Sequence, residues 1–169
     1  MISRLSEFLR LTLEGSDAQE VALAEEIEFV RRYLEIEQIR FGERLGVRIE
    51  VEPDALPIPV PAMILQPIIE NAIRHGVAPR KTGGEVMIRA YRRNGMLRIH
   101  VADDGPGLGS AIPAGRGIGI TNTRARLAQL YSCEAGIELG CADSGGLEVT
   151  LTLPVRQEPS LQPALATVS

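Results

Sequence analysis

Two groups of residues have the types and spacing to hold a phosphorylated ligand. The first is Leu65–Gly76, LQPIIENAIRHG. At about 100° per residue, Ile64, Leu65, Ile68, Ile69, Ala72 and Ile73 cover one half of a helix. Gln66, Glu70, Asn71, Arg74 and His75 cover the other. Asn71 lies near the seam, with Arg74 at i+3 and His75 at i+4. An amide at the edge of a core-facing helix, with a cation one turn on, can hold a metal–phosphate group. An ordinary amphipathic helix with a solvated polar face fits this stretch equally well. The second group is Asp103–Gly119, DDGPGLGSAIPAGRGIG, with Gly105, Gly107, Gly109, Gly115, Gly117 and Gly119. Such a density of glycine costs chain entropy. It lets backbone N–H groups approach a phosphate, or lets a loop close over a ligand. The segment GRGIG runs into a predicted helix whose N-terminal dipole favours an anion, and Arg116, Arg124 and Arg126 add positive charge. No GK[ST] follows, and no GxGxxG stands in a βαβ context, so neither a Walker A loop nor a dinucleotide fingerprint is present. Asp103 ends a predicted strand, where its carboxylate can accept from an exocyclic amine such as that of adenine. A turn-forming Asp before Gly is the plainer alternative for Asp103 and Asp104. Metal binding by the pair is disfavoured, because adjacent strand residues point to opposite faces.

Composition narrows the function classes. A chain of 169 residues with 44% hydrophobic and 24% charged residues is that of an ordinary globular domain. The net charge of -4 argues against a nucleic-acid surface. With aromatics at 4% and no Trp, base-stacking platforms are not expected. No apolar run reaches membrane-span length, and the N-terminus carries no signal-peptide pattern. Cys133 and Cys141 lack metal-ligand spacing and form no disulfide framework, which points to a reducing cytoplasm.

The elements that would position these residues follow from periodicity. Residues 2–13 read as a short helix. A break at Glu14–Ala18 precedes a long helix from about Gln19 to Phe41. Leu23, Ile27, Val30, Leu34 and Phe41 follow heptad-like spacing, with Glu37 in a core slot. That stripe fits packing against the chain's own domain or a dimer stalk. Gly42 and Gly46 bracket the helix end. Val47–Glu52 alternates as a half-buried strand. A proline-rich segment through Pro61 leads into a helix over Ala62–His75, which stops at Gly76. Glu85–Arg93 and Met96–Asp103 form a hairpin across Asn94-Gly95. Thr121–Tyr131 is predicted helical, with Thr121 or Asn122 as N-cap and Leu127, Leu130 and Tyr131 inward. Gly136–Cys141 and Leu147–Leu153 are further strands. Residues 155–169 read as a disordered tail. The sum is an α+β fold, a two-layer α/β sandwich with helices on one face of a mostly antiparallel sheet, preceded by an N-terminal helical segment.

ENAIRHG (70–76), DDGPG (103–107) and GRGIGITNTRARL (115–127) resemble the N box and two glycine boxes of the Bergerat-fold (GHKL) ATP-binding domain. That is the fold of gyrase, the Hsp90 chaperones, MutL proteins and histidine kinases. LSEFLRLTL (5–13), EEIEFVRRYLEIEQIRFGERL (25–45) and PAMILQPIIENAIRHG (61–76) narrow the resemblance to the LytS-type sensor histidine kinases. It covers about residues 3–154. It implies ATP and Mg²⁺ as cofactors, with Asn71 on the Mg²⁺ that bridges the phosphates. Few protein ligands suffice for that ion. It further implies Arg74 and His75 along the nucleotide, Asp103 on the adenine amine, and Gly105 and Gly107 beside the base. Gly115, Gly117 and Gly119 would begin a short phosphate-binding lid, with Asn122 and Arg124 nearby. Glu70 is a candidate for polarising the attacking imidazole; an i,i+4 pair with Arg74 is its plainer role.

The resemblance also implies a division at 1–42 (the C-terminal part of a dimerisation and phosphoacceptor region), 43–155 (the ATP-binding catalytic domain) and 156–169 (the tail). The family's acceptor histidine precedes the stretch resembling LSEFLR. Neither His75, in the N box, nor His100, in a strand, resembles it. The expectation is therefore a C-terminal fragment of a kinase, with the acceptor region and a response regulator as partners and homodimerisation possible. The parent would be membrane-anchored, with this part in the cytoplasm. Leu147 follows Gly145-Gly146 where the fold often has Thr, leaving Thr150 as a possible substitute hydroxyl. Two other readings stand beside the kinase. A hydrolytic ATPase of this fold needs a water-activating Glu where this chain has Pro67. A non-catalytic nucleotide-binding or dimerisation module would have a degenerate pocket, against which the intact Asn71, Asp103 and glycine boxes speak.

Overall fold

The structure is a computed structural model describing residues 20–107 and 117–155. The short helix expected over 2–13, Gly109, Gly115 and the tail over 156–169 lie outside these residues. The chain begins with a three-residue strand, β1 (Glu20–Ala22), and helix α1 (Leu23–Phe41). Strand β2 (Leu45–Val51) follows a single 3-10 turn over Gly42–Arg44. Then come β3 (Pro59–Pro61) and helix α2 (Gln66–Ala72), which continues as a π-helical turn over Ile73–Val77. The hairpin β4 (Gly84–Arg93) and β5 (Met96–Asp103), helix α3 (Gly117–Tyr131), β6 (Gly136–Cys141) and β7 (Leu147–Pro154) complete it.

Five strands form one sheet in the order β2-β4-β5-β7-β6. Alternation along the strands gives it one apolar face and one wet face. Val86, Ile88 and Ala90 of β4, Leu97, Ile99 and Val101 of β5, and Val149, Leu151 and Leu153 of β7 are buried on the apolar face. The helices cover them, as the alternation predicted. Three pairings are antiparallel; β2 and β4 run parallel. The parallel pair arises because β2 and β4 are joined by the long crossover carrying β3 and α2, not by a hairpin. The hairpin at Asn94-Gly95 forms as expected, with φ of 53° and 74° at its two central residues.

Several boundaries differ from the expectations. The approach helix starts at Leu23, because Glu20–Ala22 pairs antiparallel with Pro59–Pro61. Gly46 lies inside β2. Helix α2 starts at Gln66, several residues later than the periodicity suggested. Met63 ahead of it has a φ of 58°, which no helix admits. Gly76 does not stop this helix but sits within its π turn. Helix α3 starts at Gly117, four residues early, so Thr121 and Asn122 are exposed in its second turn and cap nothing. Gly119, in the first turn of this helix, faces Pro67 of α2; a Cβ there would lie 3.4 Å from the Pro67 Cβ, in ordinary contact.

The stripe Leu23, Ile27, Val30 and Leu34 is buried in the same core as the sheet, and Glu37 is buried beside it. Packing against the chain's own domain therefore accounts for the stripe, and a dimer stalk is not needed. The opposite side of α1 is wet, with Ile39 86% exposed and an exposed Glu28–Arg32 pair at i,i+4. Leu34→Ala is expected to cost about 2–5 kcal/mol, and Ile39→Ala no more than about 0.5 kcal/mol. Urea denaturation of the two variants measures the contrast, and equal costs would mean that α1 does not pack as described.

Candidate functional site

Asp103 is the last residue of β5, on the helix-covered face, and is 2% exposed. Its Oδ1 accepts from the amides of Gly105 at 2.9 Å and Leu147 at 3.4 Å. Its carbonyl accepts from the Ser144 hydroxyl at 3.2 Å. Three glycines surround it. A Cβ on Gly76 would lie 2.6 Å from the Asp103 Cγ, one on Gly105 2.8 Å from its Oδ1, and one on Gly146 1.9 Å from its carbonyl oxygen. Such contacts require glycine at all three positions. They bring the π turn of α2, the start of the glycine-rich loop and the β6–β7 connection together on one carboxylate. Two amide donors hold that carboxylate in a fixed orientation. Asp104 points away from it, accepting from the Glu85 amide and pairing with Arg80 at 2.9 Å. It is a turn residue with a structural partner, as the alternating faces of a strand require.

Helix α2 forms the wall beside Asp103. Its apolar half is buried as predicted: Ile64, Leu65, Ile68, Ile69, Ala72 and Ile73 are all in the core. Gln66, assigned by periodicity to the polar half, is buried too, and its amide donates to Glu70 at 2.8 Å. This replaces the expected Glu70–Arg74 pair, since Gln66 is closer to the core and holds the carboxylate first. Asn71 and His75 are half-buried and Arg74 is exposed. The C-terminal part of α1 lies against this polar edge. Burial, with the Glu37 and Glu70 carboxylates nearby, pushes the Tyr33 hydroxyl well above the ordinary phenol range. Arg40 and Arg74 oppose the shift.

Across the site, α3 opens with Gly117 and Gly119, its first turn resting on Pro67. Gly119 therefore serves helix–helix packing as well as any lid. Arg124 is turned to the Ile137 carbonyl at 3.5 Å, and Asn122 is solvated. Neither makes a contact with Asn71 or Asp103 among the described residues. Thr150 lies on the wrong face of the sheet to line this site. Its hydroxyl meets His100 Nδ1 at 3.1 Å on the wet side, where His100 also stacks on Tyr91 and faces Glu148. The amide of Leu147 reaches Asp103 in place of the hydroxyl that was sought there.

The chain matches the histidine kinase-, DNA gyrase B- and HSP90-like ATPase family model over residues 60–157, and the histidine kinase family model over residues 1–45. The chain belongs to the histidine kinase-, DNA gyrase B- and HSP90-like ATPase family. Sensor histidine kinase BtsS of Escherichia coli (strain K12) is 35% identical over 158 residues, covering 94% of this chain and 28% of that protein. Sensor histidine kinase YesM of Bacillus subtilis (strain 168) is 31% identical over 163 residues, covering 93% and 28%. Sensor protein LytS of Enterococcus faecalis (strain ATCC 700802 / V583) is 30% identical over 169 residues, covering 94% and 29%. The chain thus spans under a third of the length of these relatives. The catalytic domain of histidine kinase ThkA superposes with a TM-score of 0.63 at 18% identity, covering 82% of this chain and 97% of that one. This likeness speaks for the fold. The chain carries the ATPase-type domain found in sensor histidine kinases.

Within this family frame, the residues that sequence reasoning missed are Gly146 and the full part played by Gly76. Gly76 was legible only as a helix terminator, and Gly146 only as half of a turn-forming pair. Their shared contact with Asp103 is visible only in three dimensions. Gly146→Ala is expected to cost at least about 1–3 kcal/mol through overpacking, because the added methyl meets backbone. Gly140→Ala, with open space around it, should change stability by no more than about 0.5 kcal/mol. Chemical denaturation of both separates a cradle from a merely flexible turn.

Proposed function

We propose that this chain is the ATP-binding catalytic part of a two-component sensor histidine kinase, transferring a phosphoryl group from Mg-ATP to a histidine other than its own two. The observation that carries the proposal is the Asp103 carboxylate, held by two amides inside a cradle of three glycines next to the Asn71-bearing helix. The backbone at these glycines packs directly on Asp103, where any Cβ would intrude, and a carboxylate acceptor so fixed suits the adenine amine. Asn71 offers a hard amide oxygen at the seam of α2, a donor suited to Mg²⁺, which retains most of its waters. When bound, Mg²⁺ neutralises phosphate charge and orients the transferring group. The protein's own contribution is positioning. Asp103 with Gly105 and Gly107 holds the base. Asn71, Arg74 and His75 border the phosphates. Gly115, Gly117 and Gly119 begin the lid, with Asn122 and Arg124 at its edge. Glu70, oriented by Gln66, stands ready to polarise an incoming imidazole.

An acceptor elsewhere is supported by where the two histidines sit. His100 is engaged with Tyr91, Thr150 and Glu148 on the face of the sheet away from Asp103. His75 belongs to the binding helix itself. The acceptor then resides in another segment or subunit, and a response regulator takes the phosphoryl group onward. The proposed division assigns 1–42 to the dimerisation and phosphoacceptor region, 43–155 to the ATP-binding domain and 156–169 to a tail. Homodimerisation of the parent, and its membrane anchorage with this part in the cytoplasm, are part of the same reading. Among the described residues no helix is long and apolar enough to cross a membrane. A hydrolytic role is less favoured, because Pro67 occupies the place of a water-activating base and is packed on Gly119.

Titration with a non-hydrolysable ATP analogue and Mg²⁺ tests the site. Wild type should bind. Asp103→Asn should weaken binding about tenfold or more, the worth of a hydrogen bond to a charged group. Asn71→Ala should remove the dependence on Mg²⁺. Binding that both substitutions leave untouched would reject the site. With labelled ATP the chain alone should stay unlabelled; stable phosphohistidine at His75 or His100 would reject the external acceptor.

A further inference from the structure

The connector 62–65, which leads into α2, is held from two sides. Glu26 of α1 is 3% exposed, and its carboxylate accepts from the Met63 amide and, at 3.3 Å, from the Leu65 amide. Arg126 of α3 donates to the Ala62 carbonyl at 2.5 Å and attracts the Glu26 carboxylate across the connector. Met63, between these contacts, is in the left-handed region with a φ of 58°, a conformation unfavourable for a residue with a side chain. Burial raises the Glu26 carboxyl above the ordinary carboxylate range, while the three connector amides and Arg126 pull the other way. A buried carboxyl group and a left-handed Met are both costs, and simple core packing needs neither.

The same region is tied at two further points. The amides of Leu23 and Ala24 donate to the carbonyls of Ile58 and Leu56 at 2.9 Å each, fastening the start of α1 to the segment ahead of β3. The Tyr131 hydroxyl donates to Glu20, fastening the end of α3 to β1. Three segments with separate duties therefore converge here. Helix α1 arrives from the region matched by the histidine kinase family model, α2 carries Asn71, and α3 emerges from the glycine-rich loop.

We propose that Glu26 and Arg126 form a positioning clamp for the nucleotide site, fixing the entry of α2, and with it Asn71, against α1 and α3. The clamp touches no nucleotide. It rests on the reading above that Asn71 and Asp103 line the site. Glu26→Gln keeps the side-chain volume but offers one acceptor oxygen where the carboxylate offers two. Arg126→Gln removes the opposite hold.

The test uses the full chain, a non-hydrolysable ATP analogue with Mg²⁺, and hydrogen exchange. Glu26→Gln and Arg126→Gln are each expected to weaken analogue binding about tenfold. The double variant should lose less than the product of the two, since both act on one connector. Exchange at the Met63 and Leu65 amides should speed up in each single variant. Leu153→Ala, a core change at the far end of β7, serves as the stability control; it should lower the melting temperature without a comparable loss of affinity. Wild-type affinity in Glu26→Gln would overturn the clamp, as would a loss that Leu153→Ala reproduces at equal destabilisation. If wild type binds and Asp103→Asn weakens binding while both clamp variants are silent, the clamp fails and the site stands. If wild type does not bind, the site fails and the clamp falls with it.

Discussion

A carboxylate inside a protein must be held by donors, because nothing else replaces the water it has lost. Asp103 meets that constraint with the amides of Gly105 and Leu147. The backbone around it comes so close that a Cβ at position 76, 105 or 146 would overlap Asp103. The glycines at 76, 105 and 146 therefore follow from the burial of Asp103, and the close approach of α2 to the end of β5 follows from the glycines. Removing one methyl group's worth of space at any of them would separate the strand end from the helix that faces it. The site and the packing around it are thus one arrangement. Three turns are thereby brought onto one strand end.

The second constraint is the division of the sheet. Alternation sends Val86, Ile88, Leu97, Ile99, Val149 and Leu151 under the helices and leaves Arg89, Tyr91, His100 and Thr150 in water. Asp103 falls on the covered side because it continues the parity of Leu97, Ile99 and Val101. Asp104 falls on the other, where Arg80 meets it. The same parity removes His100 and Thr150 from the site. A shift of one residue in β5 would exchange these roles entirely. Register, set by the Asn94-Gly95 turn, therefore decides which aspartate sits among the three glycines.

Much of this was legible. Hydrophobic alternation and the Asn-Gly turn located the hairpin, and the buried half of α2 matched its helical periodicity residue by residue. The density of glycine after Asp103 predicted a close approach, because such a stretch is otherwise costly, and Gly105 makes one against Gly76 and Asp103. Less legible were the features set by contacts distant in sequence. The strand at Glu20–Ala22 is too short for alternation to reveal and exists only because Pro59–Pro61 pairs with it. The late start of α2 depends on a left-handed Met63, which no propensity predicts. Helix α3 starts early, with Gly119 packed on Pro67, so Gly117 and Gly119, read as loop residues, are helical. Glu70 binds Gln66 and not Arg74, because tertiary burial of Gln66 overrode the split of the helical wheel.

The sequence by itself determined the sheet parity, the hairpin register and the apolar face of α2. These depend on local periodicities and turn chemistry that each segment carries within itself. The tertiary structure decided which residues converge. Three glycines far apart in the chain meet on Asp103, Thr150 is turned to the other face, and α1 is spent on the domain's own core. It also placed a buried Glu26 and Arg126 on one connector, a juxtaposition with no periodic signature. Those outcomes depend on long-range packing, where the approach of one backbone to another is fixed by the shapes of both.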